Sequence, residues 1–182
     1  MLNFPKDNKK FEVVVITTGG TIEKTYDEFN GLLDNRESVF KQYVLDRLRL
    51  PHTYIHVVSL FAKDSLRMTD KDRQILLLTI QNYLERELPI IILHGTDSMT
   101  ISAKECLKEI KKVNVPVIFT GAMKPFGFYD SDAGQNVTEA LLASRLLPPG
   151  FYISFHNRIF EVPHVKKNLE KGSFEFCQEN EA

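Results

Sequence analysis

The sequence predicts a single α/β domain, a three-layer α/β/α sandwich around a doubly wound, mainly parallel sheet of flavodoxin-like order. Two patterns favour this fold class. Short β-branched runs alternate with longer segments of helical periodicity, and loops rich in glycine and hydroxyl side chains follow most of the runs. With 182 residues, the chain is long enough to bury one core. We therefore expect residues 1–182 to form one domain, with 1–10 as a flexible lead.

Each predicted strand is a short apolar run, and each predicted helix is a longer segment with apolar residues three or four positions apart. The strands are VVVIT (13–17), YIHVVSL (54–60), PIIILH (89–94), VPVIFT (115–120) and FYISF (151–155). The helices cover about 38–50, 70–88, 101–113 and 133–147. Thr69 and Asp72 predict a capping box at the second helix, and we expect Asp132 and Asn136 to cap the last one. The polar tail after residue 155 predicts a short helix or strand.

The charge balance argues against nucleic acid and membrane partners. The chain has 23 basic and 24 acidic residues and a net charge of −1, so it offers no basic surface to a polyanion or an anionic bilayer. No apolar run is long enough to cross a bilayer. The first residues, MLNFPKDNKKFE, lack the apolar stretch of a signal peptide, and we expect the protein in the cytoplasm.

Cysteine and histidine spacing predicts no metal site, and nothing in the sequence calls for a cofactor. Cys106 and Cys177 form neither a disulfide framework nor a metal motif, and we expect Cys106 to pack within an amphipathic helix. The five histidines are scattered along the chain without an HExxH arrangement.

The loop after the first strand, TTGGT (17–21), places two glycines among three hydroxyl side chains. The lysine of a phosphate loop is missing, and so is the third glycine of a dinucleotide-binding loop. Gly19 and Gly20 would let the backbone turn sharply and approach a ligand closely, which would present Thr21 at the sheet edge. This arrangement suits a small polar substrate better than a nucleotide, so a flavodoxin-like nucleotide binder is a minor alternative.

Polar side chains follow several predicted strands, and the carboxyl ends of parallel strands share one edge of a sheet. Turns and caps explain such residues in any one loop, but less well in four loops at the same edge. The candidates are Thr21, Tyr26, Ser65, Thr96 and Asp97. A threonine nucleophile needs a base, a lysine or tyrosine could relay the proton, and backbone amides beyond Gly20 or Gly95 could stabilise an oxyanion. These are parts for acyl transfer, of which amide hydrolysis is the natural member.

Three motifs resemble those of a known family. TGGTI followed by Tyr26, HGTDSM and TGAMKP are similar to the motifs of the bacterial-type asparaginase/glutaminase family, whose members are threonine-dependent amidohydrolases. The first two signatures are specific when they occur together. The resemblance covers the chain from about Phe11 to Lys167.

The resemblance implies five catalytic positions. Thr21 takes the place of the nucleophile, and Tyr26 that of the tyrosine on the flexible loop that covers the site. Thr96 matches a threonine that activates water or serves as a second candidate nucleophile, and Asp97 is its neighbour in HGTD. Lys167 in VKKN matches the lysine that pairs with this aspartate, although the lysine before it in the motif is also a candidate.

The resemblance also implies how a substrate is held. Ser65 matches the residue that binds the substrate's α-carboxylate, and Asp97 the one that binds its α-amino group. Gly20, Gly95 and Thr96 complete the substrate-binding set, and residues 22–31 are expected to act as a lid.

The implied function is hydrolysis of L-asparagine to ammonia and L-aspartate through an acyl-enzyme. Glutaminase or broader amidase activity is the alternative within the class. Typical members are nearly twice as long and have a second domain, so the chain is either a compact member or a fragment. The shorter length also motivates a different hypothesis, a non-catalytic amino-acid-binding module or a subunit of an amidotransferase. By resemblance we expect a homodimer or homotetramer.

Overall fold

The computed structural model describes residues 9–36, 38, 40 and 45–178. The strands are β1 (Phe11–Gly19), β2 (Thr25–Asp27), β3 (Leu32–Asp34), β4 (Thr53–Lys63), β5 (Ile90–Leu93), β6 (Pro116–Thr120), β7 (Gly150–Phe155), β8 (Arg158–Glu161), β9 (Val165–Asn168) and β10 (Ser173–Phe176). The helices are α1 (Asp70–Leu84), α2 (Met99–Glu109) and α3 (Ala133–Leu146).

The main sheet has six strands in the order β4–β1–β5–β6–β7–β8. The first five of these are parallel, and β8 adds an antiparallel edge. In chain order the parallel strands run 2–1–3–4–5, so the predicted flavodoxin-like order is confirmed. All five predicted strands are present, although β4 continues three residues beyond the predicted end at Leu60.

Alternate residues of β1 face two separate cores, since successive side chains of a strand point to opposite faces of the sheet. Val14 and Ile16 pack with residues of α1 and α2, whereas Val13 and Val15 pack with residues of α3. All four are fully buried. Helices therefore cover both faces of the sheet, which confirms the predicted three layers and explains why β1 is continuously apolar.

The helix α1 begins with the predicted capping box. The Thr69 hydroxyl accepts from the Asp72 amide, and the Asp72 carboxylate accepts from the Thr69 amide at 2.8 Å. Lys63, at the end of β4, also donates to Asp72 at 2.6 Å. The hydrogen bond from Lys63 and those from Thr69 lower the pKa of Asp72 to about 2.

Two predicted regions differ from the structure or are not fully covered by it. The helix expected over 38–50 lies partly outside the described residues, and Leu45–Arg47 within it form a 3₁₀ turn. The tail is neither a single helix nor a single strand, because it forms β8 and the separate β9–β10 hairpin. In the described part of the chain, none of the helices combines the length and apolar character that crossing a membrane requires.

Candidate active site

The order of the strands reverses around β1, because the chain passes from β1 to β4 on one side and then returns to β5 on the other. Such a switch point opens a crevice at the carboxyl ends of the strands. Here the loops after β1 and β5 touch, since a Cβ atom added to Gly20 would lie 2.4 Å from both Cα and N of Gly95. Thr21 and Thr96, each one residue further along, therefore leave the sheet at the same place.

The loop after β4 closes against this contact. A Cβ atom on Gly95 would lie 2.5 Å from Cβ and Oγ of Ser65, so Gly20, Gly95 and Ser65 pack together. Ser98 Oγ donates to the Ser65 carbonyl oxygen at 2.9 Å, and the Gly20 amide donates to the carbonyl oxygen of Lys63 at 2.8 Å. Three predicted substrate-binding residues from three different loops thus meet at one point.

The three hydroxyls around the glycines have different surroundings. Thr17 and Thr18 are fully buried, and Thr18 Oγ1 donates to the Leu93 carbonyl oxygen at 2.9 Å. Thr21 is only partly buried and begins a 3₁₀ turn over Thr21–Glu23. Gly20 precedes it at a φ of 77°, in the left-handed region that favours glycine. Of the three threonines, Thr21 alone retains an accessible surface.

Lys167 forms hydrogen bonds with both Thr96 and Asp97 of the HGTD motif. Its Nζ atom donates to Thr96 Oγ1 at 2.8 Å and to Asp97 Oδ1 at 2.7 Å. The neighbouring lysine is placed differently, because Lys166 Nζ lies 4.0 Å from Glu175 Oε1 within the β9–β10 hairpin. The structure therefore brings Lys167, rather than Lys166, to the residues of the HGTD loop.

The Thr96 hydroxyl has one strong partner and one weak partner. An ammonium can only donate, so Thr96 Oγ1 accepts from Lys167 and keeps its own proton for another acceptor. That acceptor is the Met123 thioether at 3.8 Å, and sulfur accepts weakly. A substrate or water oxygen would be a better partner for this proton.

Tyr26 is an exposed residue of the segment that follows Thr21. It belongs to the β2–β3 hairpin, and its side chain is 66% exposed. The hydroxyl is 4.0 Å from the position of a Cβ atom on Gly31, at the turn of the hairpin. Thr21 and Tyr26 are both among the described residues, and no hydrogen bond joins them. The role expected for Tyr26 stays a prediction.

His94 and Cys106 are buried beside the crevice loops and in α2, respectively. The Nδ1–H group of His94 donates to the Gly95 carbonyl oxygen at 2.8 Å, and Nε2 lies 2.9 Å from Ser102 Oγ. Burial lowers the pKa of His94 to about 4 and raises the pKa of the Cys106 thiol to about 12. His94 is therefore a neutral structural group at pH 7, and the predicted packing role of Cys106 is confirmed.

Sequence reasoning missed Glu23, a buried carboxyl group two residues after Thr21. Its side chain accepts from the Gly19 amide at 3.0 Å and from the Ser38 hydroxyl. Burial raises its pKa, although these two donors oppose the shift. The position of an acidic residue directly after TGGTI was the available signal.

Asp132 occupies the predicted N-cap position of α3, but the side-chain caps expected of Asp132 and Asn136 were wrong. Asp132 makes no side-chain cap on α3. Its carboxylate instead accepts from the amides of Met123 and Lys124 and from Nε2 of His156. The sequence offered a faint signal in an aspartate that follows the TGAMKP loop, but nothing indicated that residue 156 would reach it.

Fold and site together define a doubly wound α/β protein with hydroxyl, carboxylate and ammonium groups at its switch point. Within that class, the chain belongs to the asparaginase N-terminal family, whose model matches residues 12–181. L-asparaginase 1 of Escherichia coli strain K12 is 28% identical over 178 residues, which are 94% of this chain and 52% of that protein.

Two solved structures have the same fold. The thermostable L-asparaginase from Thermococcus kodakarensis superposes with a TM-score of 0.81 at 24% identity, over 91% of this chain and 51% of that one. L-asparaginase I from Vibrio cholerae gives a TM-score of 0.79 at 24% identity, over 92% and 51%. This chain therefore spans about half the length of the relatives it matches.

Proposed function

We propose that this chain is an asparaginase-type amidohydrolase that converts L-asparagine to L-aspartate and ammonia. The observation that carries the proposal is the position of Lys167 Nζ, within 2.8 Å of Thr96 Oγ1 and 2.7 Å of Asp97 Oδ1. Family membership supports the class of reaction. The contact between Gly20 and Gly95 supports Thr21 and Thr96 as neighbours across the crevice.

In the first half of the reaction, Thr21 Oγ attacks the side-chain amide carbon of the substrate. A C–O bond forms, and the electron pair of the carbonyl moves to its oxygen, where backbone amides beyond Gly20 or Gly95 stabilise the charge. Collapse of this intermediate breaks the C–N bond. The proton of the Thr21 hydroxyl passes to the leaving nitrogen, through Tyr26 if the hairpin closes or through Thr96, which accepts from Lys167, and ammonia departs.

In the second half, water attacks the β-aspartyl ester and restores Thr21. Thr96 accepts from the Lys167 ammonium, so it keeps its own proton and can donate it to a water or substrate oxygen. The α-ammonium of asparagine would approach Asp97, the carboxylate that pairs with Lys167.

Ser65 would hold the α-carboxylate at the base of the crevice, where the residue is 2% exposed. Glutamine is longer by one methylene group, which changes binding by about 1–3 kcal/mol in a fitted pocket. L-glutamine is accordingly the second substrate to test.

The decisive experiment measures ammonia release from L-asparagine and L-glutamine by the purified chain and by three variants. Thr21→Ala should abolish turnover, and Lys167→Met should lower kcat about 10²- to 10⁴-fold. Lys166→Met is the matched control, because Lys166 lies on the same strand with its ammonium directed to Glu175, and it should retain wild-type turnover. Full activity in Lys167→Met would refute the assigned role.

A non-catalytic amino-acid-binding module is the second candidate, since the chain spans about half of its relatives. Calorimetric binding of L-asparagine by a folded chain that releases no ammonia would favour that module, or an amidotransferase subunit.

Mass spectrometry of the acyl-enzyme would distinguish Thr21 from Thr96 as the nucleophile. Sedimentation velocity would test the expected homodimer or homotetramer.

A further inference from the structure

A closed ring of contacts connects Thr96 with Lys167 through His156, a residue outside the proposed chemistry. We propose that His156 is a positioning residue, which ties the loop of residues 121–124 to the β9–β10 hairpin and thereby holds Lys167 Nζ at Thr96 Oγ1. Its effect on turnover rests on the proposed function, whereas its effect on the two segments does not.

The first half of the ring runs through Asp132. His156 Nε2 lies 2.8 Å from Asp132 Oδ2, and the Asp132 carboxylate accepts from the amides of Met123 and Lys124 at 3.0 Å each. Met123 then contacts Thr96 Oγ1 at 3.8 Å. Burial alone would raise the pKa of Asp132, but these backbone and imidazole donors outweigh it and lower the pKa. Asp132 therefore remains a carboxylate that holds the loop.

The second half of the ring runs through Ser173. His156 Nδ1 lies 3.1 Å from Ser173 Oγ, and Ser173 pairs with Asn168 in the hairpin ladder. Asn168 follows Lys167 directly on β9, so the link anchors the strand that carries the ammonium. A carboxylate only accepts, so Nε2 of His156 carries a proton and donates to Asp132. The neutral ring accepts from Ser173 at Nδ1 and the protonated ring donates to it, so both links persist in either state.

The backbone of His156 is in an unfavourable conformation for its side chain. His156 and Asn157 form the loop between β7 and β8, with φ values of 48° and 60°. Asparagine and glycine are the usual residues in such a turn. Both ring nitrogens of His156 are bonded, and its amide donates to Asn136 Oδ1 at 3.0 Å. A histidine held in this turn indicates a positioning role for the imidazole.

Two substitutions separate the halves of the ring. The amide of asparagine extends about as far as Nδ1, and that of glutamine about as far as Nε2. His156→Asn should therefore keep the Ser173 link and lose Asp132, whereas His156→Gln should keep Asp132 and lose Ser173. Asn157→Gly is the matched control, because it changes the same turn and touches neither link.

Amide hydrogen exchange measures the effect without any need for turnover. His156→Asn should speed exchange at Met123 and Lys124 about tenfold, and His156→Gln should do the same for amides of β9 and β10. Asn157→Gly should change neither region. Wild-type exchange in both segments of both variants, or faster exchange confined to residues 155–158, would overturn the proposal.

Kinetics provide the second readout. If the chain releases ammonia, both His156 variants should lower kcat roughly tenfold or more through misplacement of Lys167, with KM within about twofold of wild type because the Gly20, Ser65 and Gly95 contacts stay intact. Unchanged kcat in both variants would overturn the link to catalysis. An inactive wild type would contradict the proposed function alone, and the exchange result would still stand.

If a His156 variant does not fold, a substitution at Ser173 tests the same link. Ser173→Ala removes only a partly buried hydroxyl and should loosen β9 and β10 as His156→Gln does. Wild-type exchange in this variant would contradict the proposal.

Discussion

Replacing Gly20 with alanine should destabilise the whole domain, because this residue is the point at which the loops after β1 and β5 meet. Its φ of 77° lies in the left-handed region. An added Cβ atom would be 2.4 Å from Cα and N of Gly95 and 3.1 Å from the carbonyl carbon of His94. All these atoms belong to the backbone, so no side-chain rotation can relieve the clash.

Two contributions set the expected magnitude. The backbone at Gly20, with a φ of 77° and a ψ of −175°, is a conformation almost restricted to glycine and costs a residue with a Cβ atom about 1–3 kcal/mol. Forcing extra volume into a packed contact costs about 1–3 kcal/mol, so the free energy of unfolding should fall by about 2–6 kcal/mol in Gly20→Ala. That is a large part of the stability of an ordinary domain.

Two further glycines separate the contributions. Gly172 has a φ of 54° but nothing within 4 Å of an added Cβ atom, so Gly172→Ala should lose only about 1–2 kcal/mol. Gly127 has open space and no left-handed φ, and Gly127→Ala should stay within about 0.5 kcal/mol of wild type.

Urea denaturation followed by circular dichroism measures all three variants, with comparison at equal m-values. The order of destabilisation should be Gly20, then Gly172, then Gly127. A Gly20→Ala variant no less stable than Gly172→Ala would show that the loops separate easily, and the close contact at the switch point would no longer constrain the site.

Three other predictions concern titratable groups. The pKa of His94 is lowered from 6.5 to about 4, so on acidification the unfolded chain binds a proton before the folded chain does. The free energy of unfolding should therefore fall by up to about 3 kcal/mol as the pH drops from about 6.5 to 4. NMR should show no titration of this ring above pH 5, and a midpoint near 6.5 would contradict its burial. The pKa of Asp72 is lowered from 3.8 to about 2, so its contribution to the free energy of unfolding is present above pH 3.8 and is lost as the pH falls through 2. Acid denaturation of Asp72→Asn should lack this component, and an unchanged profile would refute the Lys63 contact. The Cys106 thiol, with its pKa raised to about 12, should react with iodoacetamide only after unfolding, and rapid labelling of the native chain would contradict its packing.

The fold followed from local patterns that need no partner to be recognised. Continuous β-branched runs such as residues 13–16 indicate strands that are buried on both faces. The capping box at Thr69 fixes the start of α1 through contacts three residues apart. The β7–β8 hairpin escaped prediction because its turn uses His156 and Asn157, rather than the Asn-Gly pair that usually signals positive φ.

Part of the candidate site could likewise be predicted from local sequence. TGGT and HGTD identify their glycines and threonines from sequence alone, because a turn that must approach another backbone requires glycine there. The sequence also indicated which hydroxyl stays accessible, because Thr21 follows the two glycines and is partly buried, whereas Thr17 and Thr18 lie in β1 and are fully buried.

Only the tertiary structure decided which distant groups meet. Lys166 and Lys167 are adjacent, but strand residues alternate between opposite faces, so the pairing of β9 with β10 determines which ammonium reaches Thr96. The ring through His156 depends on three segments that lie close together only when the sheet is assembled. Neighbouring residues determine the local propensity for a strand, helix or turn. Contacts between residues more than 70 positions apart follow instead from strand order and register.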